Sequence, residues 1–359
     1  MHMSGEPRMK INFVLPAIGA SGGIDVVYKY VELLSERGHD VRVYKEMKAS
    51  NMHRYKSAIV NGAHQAYCTV KTVFNYNKYS NKIDHFVWEI TDKSIRDADV
   101  IIATAWPTAY KVNLLSPEKG KKFYFIQDFE IWDNEEIAKK SYKLPLNKIV
   151  VSSWINQKLK QNLGIGPYPV IYNGLDTEIY HHVNIDKDTN SIYFLMLNHT
   201  LPKKGVAEGI KAFEKIREKY PNSKLRMFGF CDSSNVPPYV EYHQNPTKAE
   251  LVNMYSESDV FIFPSLEEGW GLTPLEAMAC DCIVVGTNVG FVQDIGVHKG
   301  NMMISEPGNV EQMIQNIEEL IGDKTLQKSI RNEMKKVVTT LDWEKSTEKL
   351  EKIFSEQEV

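Results

Sequence analysis

Short apolar runs alternate with stretches of helical periodicity along most of this chain. An apolar run at 10–16 predicts a first strand, which is followed by a glycine-containing loop and a helix over about 24–37. Five further runs predict strands in the first half, at 40–44, 99–103, 122–127, 148–152 and 170–172. The stretch from about Glu46 to Asp97 is predicted to mix one or two strands with surface loops. This alternation is typical of a parallel α/β architecture.

A second series of the same kind begins near residue 174. Four runs predict its strands, at 192–197, 224–229, 259–263 and 282–285. Helical periodicity predicts helices at 206–220, 248–256, 274–280, 310–321 and 326–339, and a last helix from Trp343 to about Phe354. The chain is therefore predicted to form two α/β halves of similar size. A ligand is expected at the carboxyl ends of the strands, in the cleft between the halves.

Composition and charge narrow the class of protein. Of the 359 residues, 43% are hydrophobic and 25% are charged, which indicates a folded globular protein rather than a disordered one. The formal net charge of −3 argues against a protein devoted to nucleic-acid binding, which would carry a large positive excess. No run approaches the roughly 20 consecutive apolar residues of a membrane-spanning helix.

The N-terminus and the cysteines give two smaller expectations. The first eight residues have no apolar core, so we expect a vector remnant rather than a signal peptide, with Met9 as the natural start. The cysteines are Cys68, Cys231, Cys280 and Cys282. Only the last two lie close together, at C-x-C spacing in an apolar stretch, which favours buried reduced thiols over a zinc site. A reducing cytoplasm is the expected compartment.

The segment after the third strand of the second half combines features that carry chemistry. The strand runs into a loop that contains Gly269 and Gly271, and a helix is predicted to start with Pro274 at its first position and Thr273 as its N-cap. The amides near Leu272 and Thr273, together with the positive end of the helix dipole, then form an anion site. The glycines leave room for a phosphate to approach it.

Two carboxylates lie in the same segment, Glu268 in the loop and Glu276 in the first helical turn. Two interpretations of Glu276 are open: it forms a capping box with Thr273, or it binds a ligand. Carboxylates accept hydrogen bonds from vicinal sugar hydroxyls, whereas phosphate is bound by amides and cations. A nucleoside diphosphate joined to a sugar would use both kinds of group.

The spacing Glu268-x7-Glu276, within Glu-Gly-Trp-Gly-Leu-Thr-Pro-Leu-Glu, resembles the E-x7-E signature of the family 4 retaining glycosyltransferases of the GT-B fold. Other segments resemble motifs of that family in the same order: Ser21-Gly-Gly23 (N-terminal glycine loop), Val170-Ile-Tyr-Asn-Gly-Leu-Asp176 (interdomain segment), Pro202-Lys-Lys-Gly205 (P-x-K-G loop) and Ser258-Asp-Val-Phe-Ile-Phe-Pro-Ser265 (A-D-V-x-V-x-P-S strand). The similarity extends over about residues 10–356 and is specific in the C-terminal half.

The resemblance implies an α/β architecture of GT-B type, in which two Rossmann-like domains face each other across an interdomain cleft. The N-terminal domain (9–172) would bind the acceptor, the C-terminal domain (173–340) would bind the donor, and a C-terminal helix (341–359) would cross back onto the N-terminal domain. The implied activity is hexosyl or deoxyhexosyl transfer with retention of configuration. The donor would be a nucleotide-diphospho-sugar, a UDP- or dTDP-sugar, and the acceptor a glycan or lipid-linked saccharide of bacterial surface-polysaccharide synthesis. No metal or other cofactor is expected to be required.

The same resemblance assigns roles to residues. Glu276 would hold the ribose hydroxyls, and Glu268 the donor sugar near its 3- and 4-hydroxyls. Lys204 and the amides of Leu272 and Thr273 would neutralise the leaving diphosphate, where negative charge develops as the anomeric C–O bond breaks. The expected donor site is completed by Gly22, Gly23, His199, Gly269, Trp270 and Gly271.

Two positions depart from the family pattern. The family has an arginine five positions before the lysine of its P-x-K-G motif, and this chain has His199 there. Three interpretations are open: His199 is protonated in the complex, another cation replaces it, or it is a strand-end histidine bound by backbone. The tract Phe125-Ile-Gln-Asp-Phe-Glu130, where many relatives have a histidine, resembles the rhamnosyltransferase branch. Within it, Asp128 either positions or deprotonates the acceptor hydroxyl or caps the following segment.

Two alternatives come from other classes: a non-catalytic partner that binds nucleotide-sugar for another transferase, and a nucleotide-sugar epimerase on the same fold. Basic clusters at 48–56, 71–82 and 119–122 are either solvated faces or a docking surface for an anionic membrane, which a lipid-linked acceptor would need. The expected location is the cytoplasm, free or peripheral to the inner face of the membrane, with no nucleic-acid partner.

Overall fold

The computed structural model describes residues 8–16, 22–50, 55–75 and 82–356. The expected vector remnant, apart from Arg8, and the glycine loop at 17–21 lie outside the described residues. The chain divides into two compact units. The N-terminal unit comprises Met1–Val151, Ile155–Ile171 and Glu344–Val359, and the C-terminal unit comprises Ser152–Trp154 and Tyr172–Trp343.

The N-terminal unit is built on a six-stranded parallel sheet with the order β3-β2-β1-β4-β5-β6. Its strands are β1 (Lys10–Leu15), β2 (Asp40–Glu46), β3 (Asp84–Val87), β4 (Val100–Ala103), β5 (Lys121–Ile126) and β6 (Asn147–Val150). The helices of its segments are α1 (Gly22–Glu36), α2 (Ala58–Asn75), α3 (Trp106–Leu114), α4 (Glu135–Ser141), α5 (Ser153–Leu163) and, at the end of the chain, α12 (Trp343–Ser355).

The C-terminal unit has a second six-stranded parallel sheet, with the order β12-β11-β10-β7-β8-β9. Its strands are β7 (Ile192–Leu197), β8 (Ser223–Gly229), β9 (Glu241–Gln244), β10 (Val260–Phe263), β11 (Ile283–Thr287) and β12 (Met303–Ser305). Its helices are α6 (Val206–Lys219), α7 (Lys248–Glu257), α8 (Leu272–Ala279), α9 (Val292–Ile295), α10 (Val310–Gly322) and α11 (Lys324–Val338). Numbered from its own first strand, each sheet has the 3-2-1-4-5-6 order of a Rossmann fold.

The central strands show why the chain folds into parallel sheets. All four residues of β4, Val-Ile-Ile-Ala, are buried, as are all four of β10, Val-Phe-Ile-Phe. Continuous apolar runs of this kind suit strands that are covered on both faces, whereas a half-exposed strand would alternate apolar and polar residues. The α/β prediction and most of the predicted strands are therefore confirmed, with boundaries shifted by one or two residues.

Two secondary-structure predictions are wrong, and two strands were not predicted. The stretch from Glu46 to Asp97 contains β3, as expected, but also the 18-residue helix α2, which the sequence analysis interpreted as loop or strand. The segment 170–172 forms only an isolated bridge, between Val170 and Val150. Strands β9 and β12 were missed because they are short edge strands of four and three residues, too short to establish a period.

The C-terminal helix α12 packs within the N-terminal unit. The ring of Phe354 contacts that of Phe123 with a centroid separation of 5.0 Å. Buried Glu351 accepts hydrogen bonds from Arg37 Nε (2.8 Å) and from His39 Nε2 (2.7 Å), and His39 Nδ1 accepts one from the Met9 amide. Within the described ranges, no helix is both long enough and apolar enough to cross a bilayer.

Candidate functional site

The candidate site of the C-terminal unit lies at the point where the strand order of its sheet reverses. Strands β7 and β10 are neighbours at the centre of the sheet, and Phe194 of β7 pairs with Val260 of β10. Loops that leave the carboxyl ends of two such strands diverge and open a crevice, which is the usual ligand position in an open α/β sheet. His199 and Lys204 follow β7, and Glu268 follows β10.

The two loops are joined through backbone. Residues Pro202–Lys204 form a 3-10 turn, and the carbonyl oxygen of Lys203 accepts hydrogen bonds from the amides of Leu266 (2.7 Å) and Glu267 (3.2 Å). Gly205 is the N-cap of α6 and has a left-handed φ of 63°, and a Cβ there would lie 1.9 Å from the carbonyl oxygen of Pro264. Only glycine fits this contact, which explains the glycine of the Pro202-Lys-Lys-Gly205 sequence.

This arrangement brings Lys204 and Glu268 together. Lys204 Nζ lies 2.6 Å from Glu268 Oε2, and the two side chains are only 19% and 15% exposed. Ser265 Oγ lies 3.4 Å from the same carboxylate oxygen. The resemblance to family 4 implies that Lys204 binds the diphosphate and Glu268 the sugar, but it does not predict that the two side chains pair. Their pairing places one positive and one negative group side by side at the mouth of the crevice.

The glycine loop continues from Glu268 and is fixed by backbone contacts. The carbonyl of Gly269 accepts a hydrogen bond from Ser152 Oγ (2.6 Å), and that of Trp270 accepts one from the Phe291 amide (2.9 Å). The Trp270 ring is 3% exposed and stacks on Tyr172, with centroids 5.0 Å apart. The buried ring of Trp270 therefore supports the loop and presents little surface to a ligand.

Helix α8 starts earlier than predicted, and its cap is different. It begins at Leu272, with Gly271 as the N-cap at a φ of 99°, so that Thr273 and Pro274 are its second and third residues. The predicted Thr273 cap is wrong because Gly271 adopts a left-handed conformation that closes the helix start without a side chain. The amides of Leu272 and Thr273 still belong to the first turn, whose N–H groups have no acceptor inside the helix. Both residues are half-buried, so the turn is open to a ligand.

Glu276 is held by tyrosines. Its Oε2 accepts a hydrogen bond from Tyr255 Oη at 2.9 Å. Burial is the main cause, and the neighbouring Glu276 carboxylate the second, that raises the pKa of Tyr255 and of Tyr180 well above the usual value. Both phenols therefore stay protonated. The capping-box interpretation of Glu276 is wrong, because its partner Thr273 is not the cap. No motif pointed to Tyr255, which lies 21 positions earlier in α7.

His199 is half-buried at the end of β7. Its Nδ1 accepts a hydrogen bond from the Leu201 amide at 3.0 Å, so the neutral ring carries its proton on Nε2. The pKa of His199 is lowered below its usual value mainly by burial and secondly by the positive charge of Lys204. The free protein thus has a neutral histidine here that is bound by backbone, as one of the three interpretations expected, and its Nε2–H is the donor it can offer to an anion.

Three predicted site residues lie in the N-terminal unit. Gly22 and Gly23 are the first residues of α1, which starts two positions earlier than predicted, and the Gly23 carbonyl accepts a hydrogen bond from Gln127 Nε2 at 3.0 Å. Asp128 Oδ1 accepts a hydrogen bond from the amide of Phe129 at 2.8 Å. The next helix, α4, is capped by Asn134, whose side chain accepts a hydrogen bond from the Ile137 amide, so Asp128 does not cap it. The role of Asp128 toward an acceptor stays a prediction.

The cysteines and the acidic residues add no further centre to the part of the chain that is described. All four cysteines are free, with Cys280 and Cys282 buried and Cys68 and Cys231 partly exposed. Among the described residues, no group of three or more His, Cys, Asp or Glu side chains is placed to hold a metal ion.

Comparison with known proteins finds similarity to glycosyltransferases. Residues 180–337 match the family model described as "Glycosyl transferases group 1". An uncharacterized glycosyltransferase of Methanocaldococcus jannaschii is 28% identical over 213 residues, which are 58% of this chain and 59% of that protein. The capsular polysaccharide biosynthesis glycosyltransferase CapM of Staphylococcus aureus is 30% identical over 162 residues, 42% of this chain and 43% of CapM. The chain thus spans about half the length of the curated relatives it matches.

Solved structures resemble the whole chain. Sucrose-phosphate synthase of Thermosynechococcus elongatus matches with a TM-score of 0.73 at 16% identity, over 97% of this chain and 98% of that one. Anabaena HepE, solved with UDP and glucose, matches with a TM-score of 0.69 at 15% identity, over 97% of this chain and 100% of its own. WaaG, a glycosyltransferase involved in lipopolysaccharide biosynthesis, matches with a TM-score of 0.66 at 14% identity, over 97% and 100%. The protein has the GT-B fold, and within it residues 180–337 match the glycosyl transferases of group 1.

Proposed function

We propose that this protein is a retaining glycosyltransferase. In this proposal it moves a hexosyl or deoxyhexosyl group from a UDP- or dTDP-sugar to a glycan or lipid-linked acceptor, on the cytoplasmic side of a bacterial cell, during surface-polysaccharide synthesis. The family match at 180–337 and the polysaccharide role printed for CapM support this assignment. HepE, which shares the fold, has been solved with UDP-glucose, which supports a nucleotide-sugar as the donor.

The observation that carries the proposal is the pairing of Lys204 with Glu268 at the carboxyl ends of β7 and β10, in the loop that leads to the start of α8. Breaking the anomeric C–O bond leaves negative charge on the diphosphate and positive character on the sugar. Lys204 and the first-turn amides of Leu272 and Thr273 supply fixed positive groups where that negative charge develops. We assign the positive charge that meets the diphosphate to these groups rather than to a bound metal ion.

The carboxylates would bind the two hydroxyl-bearing parts of the donor. We assign Glu276, which is held by Tyr255, to the ribose hydroxyls, and Glu268 to the donor sugar near its 3- and 4-hydroxyls. His199 would donate Nε2–H to the diphosphate in the position where the family has an arginine. Gly269 and Gly271 leave room for the donor, and Trp270 supports the loop that they flank.

We assign donor binding to the C-terminal unit and acceptor binding to the N-terminal unit. Gly22 and Gly23, at the start of α1, would approach the diphosphate. Asp128 would position or deprotonate the acceptor hydroxyl once a ligand displaces its bond to the Phe129 amide. The tract Phe125-Ile-Gln-Asp-Phe-Glu130 favours placing the protein in the rhamnosyltransferase-like branch of family 4.

Calorimetric titration with UDP, dTDP, GDP, ADP and their common sugar conjugates tests the donor site. Binding of one nucleotide class, weakened in Glu276→Ala by about 1–3 kcal/mol as expected for lost hydrogen bonds to a charged group, would support the assignment. Glu311→Ala, which removes an exposed carboxylate of α10, is the matched control. Unchanged donor affinity and turnover in Glu276→Ala would overturn the assigned site.

Turnover separates the proposal from its alternatives. A transferase releases the nucleoside diphosphate faster when an acceptor is added, and the anomeric configuration of its product, followed by NMR, reports retention. An epimerase would convert the donor sugar without any acceptor. A non-catalytic partner would bind the nucleotide-sugar but would neither transfer nor convert its sugar.

A further inference from the structure

Helix α2 (Ala58–Asn75) of the N-terminal unit presents its apolar side to solvent. Ile59 is 85% exposed, Tyr67 64%, Val70 53% and Phe74 82%. With exposed Ala63, these residues recur at three- to four-residue intervals, so they form one continuous stripe along the helix. A helix of a globular protein normally places such a stripe against the core.

The opposite side of α2 faces the protein and is polar. Asn61 and Thr72 are buried, at 6% and 4% exposure. Gln65 Nε2 donates a hydrogen bond to the Ala49 carbonyl (2.7 Å), and Thr69 Oγ1 accepts one from the Ala49 amide (3.0 Å). The helix is therefore attached to the unit by hydrogen bonds from its polar side, and this attachment fixes its apolar side outward.

The segment of the chain that contains this helix is basic. Residues 47–83 contain six lysines and arginines and no aspartate or glutamate, in a chain whose net charge is −3. Of the six, Lys48 pairs with Glu89 at 2.9 Å, and Arg54 and Lys78 lie outside the described residues. Lys56 and Lys71 are exposed at the start and near the end of α2. By contrast, the basic cluster at 119–122 is used internally: Lys119 pairs with Asp97 at 2.7 Å, and Lys122 donates to the Asn113 carbonyl at 3.0 Å.

We propose that α2 docks flat on an anionic lipid surface, with the stripe from Ile59 to Phe74 in the region between headgroups and acyl chains. An outward apolar stripe combined with excess positive charge and no acidic residue is the combination that binds anionic bilayers. A second copy of the chain would place the same positive segment against itself, which disfavours self-association through this face. The inference stands on α2 alone and does not depend on the proposed transferase activity.

Vesicle flotation with the full chain tests the proposal. We expect binding to vesicles of phosphatidylglycerol and phosphatidylcholine, weaker binding to pure phosphatidylcholine, and release as salt is raised above about 0.5 M because the Debye length falls to a few ångströms. The double variant Ile59→Ser/Phe74→Ser should partition at least about tenfold more weakly, because two large side chains lose their apolar burial. Lys71→Gln should weaken binding to anionic vesicles by about fivefold.

Controls keep the outcome interpretable. Phe230→Ser removes an apolar side chain of similar exposure, 73%, from the C-terminal unit and should bind like the parent. Because the substituted α2 residues are exposed, circular dichroism should show all variants folded. Failure of the parent to float, or equal flotation of Ile59→Ser/Phe74→Ser and the parent, would overturn the proposal. A parent dimer that the same double variant converts to monomer, with no vesicle binding, would assign the face to a second copy instead.

Discussion

Lys204 Nζ lies 2.6 Å from Glu268 Oε2, although 64 positions separate the two residues in the chain. The contact exists because β7 and β10 are adjacent in the sheet and the Lys203 carbonyl binds the loop that leads to Glu268. In the free protein, Lys204, which is proposed to bind the diphosphate, and Glu268, which is proposed to bind the sugar, therefore neutralise each other's charge.

Glu268→Gln should separate affinity from turnover. Removing the negative charge frees Lys204 for phosphate, so we expect a nucleoside diphosphate without sugar to bind as tightly as in the parent or more tightly. Turnover of the nucleotide-sugar should fall, because the amide is a weaker acceptor for the sugar hydroxyls. Calorimetry with UDP or dTDP and an acceptor assay measure the two effects, and loss of nucleotide affinity in Glu268→Gln would contradict this prediction.

Lys204→Met should lower kcat/KM by about 10²–10³-fold, the usual cost of removing one group that stabilises transition-state charge. The neighbouring sheet should remain intact, since the side chain is at the mouth of the crevice. Lys215→Met, at an exposed position of α6, is the matched control. Comparable losses in the two variants would mean that Lys204 has no special place in the reaction.

Glu276 should give the site its preference for ribose hydroxyls. We expect the parent to bind the ribonucleotide more tightly than its 2′,3′-dideoxy analogue, and Glu276→Ala to lose that preference. Tyr255→Phe, which removes the hydroxyl that holds the carboxylate, should weaken nucleotide binding by about 0.5–1.5 kcal/mol, less than Glu276→Ala. A dideoxy analogue that binds the parent as well as the ribonucleotide does would contradict the assignment.

His199 should take up a proton when the donor binds. Burial and the charge of Lys204 lower its pKa in the free protein, so it is neutral at pH 7, and a bound diphosphate would raise that pKa. Between the free and bound pKa values, affinity should increase as the pH falls, and it should level off below the free value. A nucleotide-sugar is the right probe because its diphosphate does not titrate in this range. Calorimetry in buffers of different ionisation enthalpy measures the uptake, which His199→Gln should abolish; zero uptake in the parent would mean that His199 acts as a neutral donor.

Gly205→Ala should destabilise the C-terminal unit by about 3 kcal/mol or more. The substitution combines a left-handed backbone conformation with a Cβ placed 1.9 Å from the Pro264 carbonyl oxygen. Gly322→Ala is the matched control, because nothing lies within 4 Å of a Cβ there, and it should be neutral or stabilising by up to about 1 kcal/mol. Urea denaturation compares the two, and similar stabilities would contradict the prediction.

Glu351 should stabilise the N-terminal unit through α12. Glu351→Gln weakens its bonds to Arg37 and His39 in a buried position and should cost about 1–3 kcal/mol of unfolding free energy. Glu348→Gln changes a carboxylate that is 60% exposed and 3.9 Å from Arg37, so it should cost less than about 1 kcal/mol. Equal losses of unfolding free energy in the two variants, measured by chemical denaturation, would contradict a stabilising role for the buried bonds of Glu351.

Local features of the site could be predicted because they are encoded within a few residues. Glu268, Gly269, Gly271 and the helix that follows lie in one continuous segment, and the strand–loop–helix order fixes their relation whatever the rest of the chain does. The detail of the cap could not be predicted. Thr273 before Pro274 is a good start signal, but the left-handed backbone of Gly271 began α8 two residues earlier.

By itself the sequence determined the parallel α/β class, the two successive series of strands, and the segment 263–279 with its two carboxylates, because each depends on periodicity or on neighbours in the chain. Tertiary structure alone decided the Lys204–Glu268 pair, the tyrosine that holds Glu276, and the outward apolar side of α2. These depend on which strands become neighbours and on which side of a helix the protein covers. Both are settled by long-range packing, where the gain from the whole sheet outweighs any local preference, so no short stretch of sequence records them.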